Sequence, residues 1–323
     1  MTKIFFLILS CCCLQSPVYV FGHVAEFECP AASSAGEKPL DCPWAGAARL
    51  MEANAAAKEP LGPVFSTYTP GILKQLAADR SDPVLARLWG ESINFDEMAD
   101  AIIVNPDILV FLADELGTAR PKGRVSHAGM EHTYGYLFSL LETKFGFKRA
   151  RWVRDDIEAG FGLPRGLIGP DPAEGTLLTN VTCLAGGIAL KDDAAASALL
   201  AKLVCPGILR KYAAIRIPRS RLVETVELAG KRKVALRTDL VAFSTTSADG
   251  NSHLLIYSVY DSVPEQASLI TAFPVDAAFA RRILDSKELG TGKPVQTRYN
   301  AWVEGLSGKK PVKGSREVIR MDE

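Results

Sequence analysis

Apolar and polar positions change their spacing along the chain, and this change separates a helical part from a strand-rich part. In the first third, apolar residues recur three and four positions apart, and prolines interrupt them repeatedly. This spacing predicts short helices, among them residues 47–59, 71–79 and 108–116. Residues 26–132 are therefore predicted to form a mostly helical region.

The C-terminal part instead alternates apolar and polar residues and is rich in Val, Ile, Tyr and Thr. The alternation predicts four strands, at residues 221–228, 234–245, 253–260 and 268–273. Ala229-Gly230 and Asp249-Gly250 are typical of tight turns between strands. Because tight turns join neighbouring antiparallel strands, these four are expected to form an antiparallel meander. Asp276 then fits the N-cap of a following helix.

The region between these parts is less regular. The apolar run 177–190 predicts a buried pair of strands. Residues 133–290 together are predicted to be an α+β region with an antiparallel sheet, and residues 291–323 a loose tail rich in Gly, Lys and Pro. The expected fold class is α+β, in which N-terminal short helices are packed with a C-terminal antiparallel β-meander.

The first 25 residues have the layout of a secretory signal peptide. A basic start at Lys3 precedes an apolar run over residues 4–14, which Pro17 breaks. The run is shorter than the roughly 20 apolar residues that a transmembrane helix needs. The protein is therefore predicted to be secreted or periplasmic. Alternatively, the residues up to Cys11 form a lipoprotein box, and the chain is lipid-anchored through Cys11.

Cysteine usage is consistent with export. Four cysteines follow the leader, and an even number in an exported chain favours disulfides. Of the three possible connectivities, Cys29–Cys42 and Cys183–Cys205 are favoured, because each pair closes a short loop. Four free thiols are the alternative.

Composition indicates a globular protein, since 48% of the residues are hydrophobic. The 37 basic and 37 acidic residues cancel, so the net charge selects no partner. Locally, basic and aromatic side chains alternate over residues 144–154 and fit RNA or another polyanion. The candidate binding residues there are Lys144, Lys148, Arg149, Arg151 and Trp152. A solvated rim that balances acidic surface elsewhere is the alternative.

Sequence signatures of several common enzyme classes are absent. The chain has no G-x-S-x-G nucleophile elbow, no phosphate-binding G-x-x-x-x-G-K-[ST] loop and no dinucleotide fingerprint. It also lacks the HExxH and HxxEH patterns of zinc hydrolases. The sequence therefore predicts no cofactor and no metal ligands.

Three histidines remain after the leader: His127, His132 and His253. His127 and His132 lie in one polar segment, residues 124–132, and imidazole is suited to proton transfer near neutral pH. We treat these two as a candidate catalytic pair that flanks a phosphodiester. Two alternatives stay open, a metal site gathered by a loop and packing histidines with satisfied hydrogen bonds.

Residues 253–261, followed by a turn and residues 269–274, resemble the final strands of barnase-like and EndoU-like ribonucleases. Members of that group often close their sheet with a similar Thr-Ala-Tyr/Phe-Pro strand, and Thr271 matches its threonine. The resemblance implies metal-free RNA cleavage, in which one histidine deprotonates the ribose 2′-hydroxyl and another protonates the leaving oxygen. A lysine would stabilise the charged phosphorane. His127 and His132 would supply the base and the acid.

Three functions therefore stay open at this point. The first is an exported, metal-independent ribonuclease or phosphodiesterase with a histidine pair. The second is a non-catalytic periplasmic or extracellular binding protein, and the third is a metal-dependent hydrolase.

Overall fold

The computed structural model describes residues 42–214, 219–247, 250–285, 297–306 and 312–321. The predicted signal peptide, Cys11 and Cys29 lie outside these ranges, and the side chain of Cys42 is also outside the description. Export, lipidation and the Cys29–Cys42 pairing therefore stay predictions.

The described residues form an α+β fold, as predicted, with helices first and a five-stranded antiparallel sheet later. The helices are α1 (Cys42–Ala57), α2 (Leu61–Tyr68), α3 (Pro70–Arg80), α4 (Pro83–Arg87), α5 (Pro106–Leu116), α6 (Ala128–Met130), α7 (Ala150–Val153), α8 (Asp156–Phe161), α9 (Leu177–Val181), α10 (Gly187–Ala189), α11 (Ala194–Leu200), α12 (Gly207–Ala214) and α13 (Ala277–Leu284). The strands are β1 (Glu91–Ile93), β2 (Val125–His127), β3 (Glu142–Thr143), β4 (Gly146–Phe147), β5 (Arg219–Glu227), β6 (Lys233–Ala242), β7 (Asn251–Ser262), β8 (Glu265–Asp276), β9 (Ala301–Trp302) and β10 (Lys313–Met321).

Prolines and polar caps set the starts of the short N-terminal helices. Asp82 and Asn105 accept hydrogen bonds from backbone N–H groups of the first turns of α4 and α5, at 3.0 and 2.9 Å. A proline follows each of these caps, where its missing N–H costs nothing. Gly117 ends α5 in a left-handed conformation, with φ of 73°.

The main sheet has the strand order β10-β5-β6-β7-β8, and each neighbouring pair is antiparallel. The four predicted strands of the meander correspond to β5 to β8. Burial largely alternates along β5, whereas β6 is buried on both faces over most of its length. A smaller sheet has the order β2-β1-β9, and β3 and β4 form a hairpin.

Two predicted segments differ from the structure. Residues 177–190 form helices α9 and α10 joined by a π-helical turn at Thr182–Gly186, and not a strand pair. A short apolar run fits either element, and here the Thr176 side chain caps the helix by accepting from the Thr179 N–H at 3.0 Å. Part of the predicted loose tail, residues 291–323, forms β9 and β10.

One continuous cluster of buried apolar side chains joins the helical and the strand-rich parts. It includes Phe65 and Leu112 from the helices and Leu236 and Ile256 from the main sheet. The predicted regions 26–132 and 133–290 therefore share a core. Within the described ranges, no helix has the length and apolarity needed to cross a bilayer.

Strand β8 carries a bulge at the point where the helical part meets the sheet. Tyr257 pairs with Thr271, whereas Ser258 pairs with Leu269, so Ile270 is the extra residue. The outer edge of β8 pairs with the segment before β1, since Leu269 exchanges hydrogen bonds of 2.8 Å with Leu88 and Gly90. This contact holds the small sheet against the large one.

Two basic residues of β5 serve the fold. Arg219 and Arg221 are almost fully buried and pair with the buried Asp239, at 3.1 and 2.8 Å, on one face of the main sheet. Asp192 completes this network from the loop before α11. These two cations are therefore not available to a polyanion.

Cys183 and Cys205 form a disulfide, so that predicted pairing is confirmed. The bond joins the π-helical turn after α9 to the loop before α12, across 22 residues of sequence. Closing a loop of this length restricts the unfolded chain.

We expect the double variant Cys183→Ala/Cys205→Ala to be less stable than the wild type by about 3 kcal/mol, because the unfolded chain regains loop entropy. Urea unfolding followed by circular dichroism measures the difference. Wild type treated with dithiothreitol is the control and should match the double variant. Equal unfolding midpoints with and without the disulfide would contradict a stabilising role.

We expect Gly129→Ala to destabilise the fold by about 1–3 kcal/mol, because the new Cβ would lie 2.7 Å from the Trp89 ring. The matched control is Gly207→Ala at the start of α12, where no atom lies within 4 Å of the new Cβ. Unfolding free energies from urea titrations decide the comparison. An equal effect of both substitutions would show that α6 is not closely packed on Trp89.

Candidate functional site

The candidate site is built on the helix that begins with α6. After Met130 this helix continues through a π-helical turn at Glu131–Gly135. Such turns are rare and occur frequently at functional sites. The turn places two adjacent titratable side chains, Glu131 and His132, in the interior, with exposed fractions of 0% and 1%.

His132 is held in one orientation by backbone groups. Its Nδ1 lies 2.6 Å from the carbonyl oxygen of Ile270, so Nδ1 carries the proton and donates it. The other ring nitrogen, Nε2, has no hydrogen-bond partner. Burial, aided by the positive charges of Arg151 and Lys148, holds the pKa of His132 well below its usual value. The imidazole is therefore neutral, and its Nε2 lone pair is free.

Glu131 faces this free nitrogen. Its Oε2 accepts hydrogen bonds from the hydroxyls of Ser92, at 2.8 Å, and Ser126. Its Oε1 has no hydrogen-bond partner and lies 3.7 Å from His132 Nε2. Burial raises the pKa of Glu131 to about 7, although the two serines and Lys148 act in the opposite direction. The carboxyl group can therefore hold or release a proton near neutral pH.

Two cations lie beside this pair. Arg151 donates to the Thr271 hydroxyl at 2.8 Å, and burial lowers its pKa to about 10. Lys148 lies 3.2 Å from Asp96, and burial together with Arg151 lowers its pKa. Both cations are only partly exposed, so water shields their charges incompletely.

Tyr136 completes the group one helical turn after His132. Its ring centroid lies 4.8 Å from that of His132, and the Arg151 guanidinium lies 5.1 Å from the Tyr136 ring centroid. Burial, with the negative charge of Glu131, raises the Tyr136 pKa well above its usual value, so the hydroxyl stays protonated. The Asn300 side chain hydrogen-bonds to it.

The structure brings together four of the residues singled out in the sequence: His132, Thr271, Lys148 and Arg151. His127, in contrast, has no free ring nitrogen to contribute to this site. His127 Nε2 lies 3.0 Å from the Ala86 carbonyl oxygen, and its Nδ1 accepts the Met130 N–H at 3.1 Å. Both ring nitrogens are thus engaged with backbone, and His127 caps α6.

The other predicted polyanion-binding residues have different environments. Arg149 is fully buried, donates to the Ser139 carbonyl at 3.1 Å and lies 4.1 Å from the Phe147 ring centroid. Trp152 is also buried, and its indole donates to the His132 carbonyl at 2.6 Å, so its ring is not available for base stacking. Lys144 is exposed in the β3–β4 turn.

Sequence reasoning missed Glu131, Tyr136 and the two serines. Glu131 lies next to His132 in the sequence, but residue spacing alone gives it no role. The signal that identifies it is burial, which depends on the packing of β1 and β2 against the helix and is not encoded in local spacing. Among the described residues, no group of three or more His, Cys, Asp or Glu side chains could hold a metal ion.

Comparison of the chain with protein-family models, with curated proteins and with solved structures finds no significant match. The resemblance of residues 253–274 to ribonuclease strands stays a prediction.

The raised pKa of Glu131 predicts a pH-dependent effect of Glu131→Gln. The folded protein binds this proton more tightly than the unfolded chain, whose carboxyl has a usual pKa of 4.5. The stability that Glu131 contributes is thus present below pH 4.5 and lost as the pH rises through 7. We expect the unfolding free energy of Glu131→Gln, relative to wild type, to rise by up to about 3 kcal/mol between pH 4.5 and 8.

Urea titrations of both proteins at several pH values measure this difference. The depressed pKa of His132 acts in the opposite direction, and because the two groups titrate together, the same comparison is also made in the His132→Asn background. Glu158→Gln is a useful comparison, since burial raises that pKa to about 7 as well. A difference that does not change with pH would mean that Glu131 is ionised throughout.

Proposed function

We propose that the protein is an exported, metal-independent phosphodiesterase that cleaves RNA, and that Glu131 and His132 transfer the protons. This keeps the reaction predicted from the sequence but replaces the histidine pair by a Glu–His pair. The observation that carries the proposal is the pair of unpartnered buried atoms, Glu131 Oε1 and His132 Nε2, 3.7 Å apart. Buried polar atoms usually have partners, so two that face each other indicate a place for a reacting group.

The pair suits acid–base chemistry because it can share one proton. With the proton on Glu131 both groups are neutral, and with the proton on His132 they form a carboxylate and an imidazolium. The pKa of Glu131, about 7, makes its carboxylate a stronger base than an exposed one. The two groups titrate together, so kinetic pKa values would belong to the pair.

The neighbouring cations support an anionic substrate. Lys148 and Arg151 both lose solvation in the fold, and a phosphodiester would compensate their charges. A bound anion would also favour the imidazolium form of His132, since it offsets the two positive charges that lower its pKa. Thr271, which Arg151 contacts at 2.8 Å, would lie beside the same group.

The reaction then follows from these roles. Glu131 accepts the proton of the ribose 2′-hydroxyl, and the O2′–P bond forms while the P–O5′ bond breaks. The imidazolium form of His132, which pairs with the Glu131 carboxylate in the starting state, donates its Nε2 proton to the departing O5′, which leaves a 2′,3′-cyclic phosphate and a 5′-hydroxyl. Lys148 and Arg151 stabilise the additional charge of the phosphorane. Glu131 then passes the proton that it accepted to His132 Nε2, 3.7 Å away, and this restores the carboxylate and the imidazolium.

The Cys183–Cys205 disulfide supports export, because such bonds persist in oxidising compartments. A second candidate function, a non-catalytic binding protein, is favoured by the near-complete burial of both reactive side chains. In that case Glu131 and His132 would only support Lys148 and Arg151, which would bind an anion without turnover.

We expect the purified protein to cleave single-stranded RNA in the presence of EDTA, and Glu131→Gln and His132→Asn each to reduce the rate about 10²–10⁴-fold. Gel electrophoresis of a labelled oligoribonucleotide measures the rate, and mass spectrometry should find the cyclic phosphate. The DNA oligonucleotide of the same sequence should stay intact, because it has no 2′-hydroxyl.

The matched control is His127→Asn, because asparagine can still cap α6. This variant should keep its activity. An equal loss of activity in His127→Asn and His132→Asn would support the histidine pair predicted from the sequence and overturn the Glu–His pair. Intact RNA after long incubation with wild type would overturn the catalytic proposal.

A further inference from the structure

One aromatic side chain next to the candidate site is exposed to solvent. Phe145 lies in the two-residue turn of the β3–β4 hairpin and is 64% exposed. Within the ranges that the structure describes, every other Phe, Tyr and Trp side chain is buried or only partly exposed. The ring of Phe145 therefore offers an apolar face that a ligand from solvent can cover.

The hairpin holds this ring in a defined position. The Thr143 hydroxyl accepts the Phe145 N–H at 3.2 Å and donates to the Gly146 carbonyl at 2.9 Å. The Phe145 ring packs edge-on against Phe279 of α13, with ring centroids 6.0 Å apart and planes at 85°. Phe279 is partly buried against the core, so a ligand on Phe145 would contact a ring that is already supported.

A cation lies over each of the two rings. Lys144 Nζ lies 4.8 Å from the Phe145 ring centroid, and the Arg282 guanidinium lies 5.3 Å from that of Phe279. Both cations are exposed, and neither forms an ion pair with a carboxylate of the described ranges. We call Lys144, Phe145, Phe279 and Arg282 the hairpin surface.

The hairpin surface adjoins the cations of the candidate site along two parts of the chain. Lys148 follows Phe145 by three residues, about 10 Å of extended chain. On the other side, the Phe273 ring centroid of β8 lies 4.7 Å from the Arg151 guanidinium, and Phe279 follows Phe273 by six residues. A polyanion that reaches Lys148 and Arg151 can therefore extend onto this surface.

We infer that the hairpin surface binds the single-stranded RNA that flanks the scissile phosphodiester. The inference rests on the proposed function for its choice of RNA. An unpaired base would stack on the Phe145 ring, and Lys144 and Arg282 would neutralise neighbouring phosphates. Because every base has an aromatic face, the surface would add affinity without selecting a sequence.

The size of the exposed ring favours a single strand over other polyanions. Bases of a duplex are stacked within the helix and do not reach a side chain on the protein surface. Membrane binding grows with the apolar area that is buried, and one exposed ring offers little of it. A single ring is sufficient for one base.

The test is fluorescence anisotropy of the intact protein with a labelled single strand of about 12 nucleotides. Each ribose carries a 2′-O-methyl group, so the strand has no 2′-hydroxyl to attack phosphorus and binding is measured without cleavage. Phe145→Ala should raise the Kd about 5- to 150-fold, the effect of one lost stacking contact. Phe145→Tyr keeps an aromatic ring and should bind like wild type, whereas Phe145→Leu should bind like Phe145→Ala.

The double variant Lys144→Gln/Arg282→Gln tests the phosphate contacts. The Kd rises with salt concentration because binding releases counterions from the phosphates. The slope of log Kd against log salt should fall by about 0.7 for each contact that is lost. An unchanged slope would overturn the role of these two cations in the surface.

Val204→Ala is the matched control, since Val204 is 83% exposed in the loop before α12, outside the hairpin surface. Its Kd for the strand should equal that of wild type. Inorganic polyphosphate has charge but no bases, so Phe145→Ala should bind it as wild type does. An unchanged Kd of Phe145→Ala for the strand, an equal weakening of polyphosphate binding, or Phe145-dependent binding of phosphatidylserine vesicles but not of the strand would overturn the inference.

The two proposals fail separately, because the methylated strand reports binding alone. Binding that Phe145→Ala weakens, with unmodified RNA left intact by wild type, would overturn the catalytic proposal and keep the hairpin surface. Cleavage of a long RNA with the same KM and kcat in wild type and Phe145→Ala would keep the catalytic proposal and overturn the hairpin surface.

Discussion

The bulge at Ile270 is the constraint on which the candidate site depends. An extra residue in β8 leaves the Ile270 carbonyl free of the regular ladder, and His132 Nδ1 donates to it at 2.6 Å. On either side of the bulge, Leu269 bonds to the segment before β1, and Thr271 accepts from Arg151. Three successive residues of one strand therefore fix the small sheet, the imidazole and a cation.

The cost of this arrangement is electrostatic. Glu131, Lys148 and Arg151 all lose solvation in the fold, and each has a pKa shifted toward its neutral form. Only part of that cost is offset by hydrogen bonds from Ser92 and Ser126. The large apolar cluster that spans the helices and the sheet compensates for it, which is consistent with functional groups that reduce stability where they act.

Sequence pattern predicted the fold class and the meander because β5 to β8 are rich in Val, Ile, Tyr and Thr and turn residues separate them. It did not predict β10, since Lys313–Met321 has polar residues on both faces and lies at the edge of the sheet, where it pairs with β5. It failed at residues 177–190, where a short apolar run is compatible with a helix or a strand. Local sequence predicts secondary structure poorly where residues distant in the chain supply the hydrogen-bond partners.

The same limit applies to the candidate site. His132, Thr271, Lys148 and Arg151 were identifiable by residue type, whereas the choice between His127 and His132 required their partners. One histidine has both nitrogens bonded to backbone, and the other has one nitrogen free. Glu131 could be assigned only after its burial was known, because its adjacency to His132 fits many solvated loops equally well.

Each outer strand of the main sheet has a feature that opposes further pairing. Segment 88–90 covers β8 at Leu269, and the outer strand β10 carries Arg316, Glu317 and Arg320 within nine residues. Charged side chains along an outer strand oppose its association with another copy of the chain. Edges of this kind oppose the recruitment of further strands and so the growth of the sheet into fibrils.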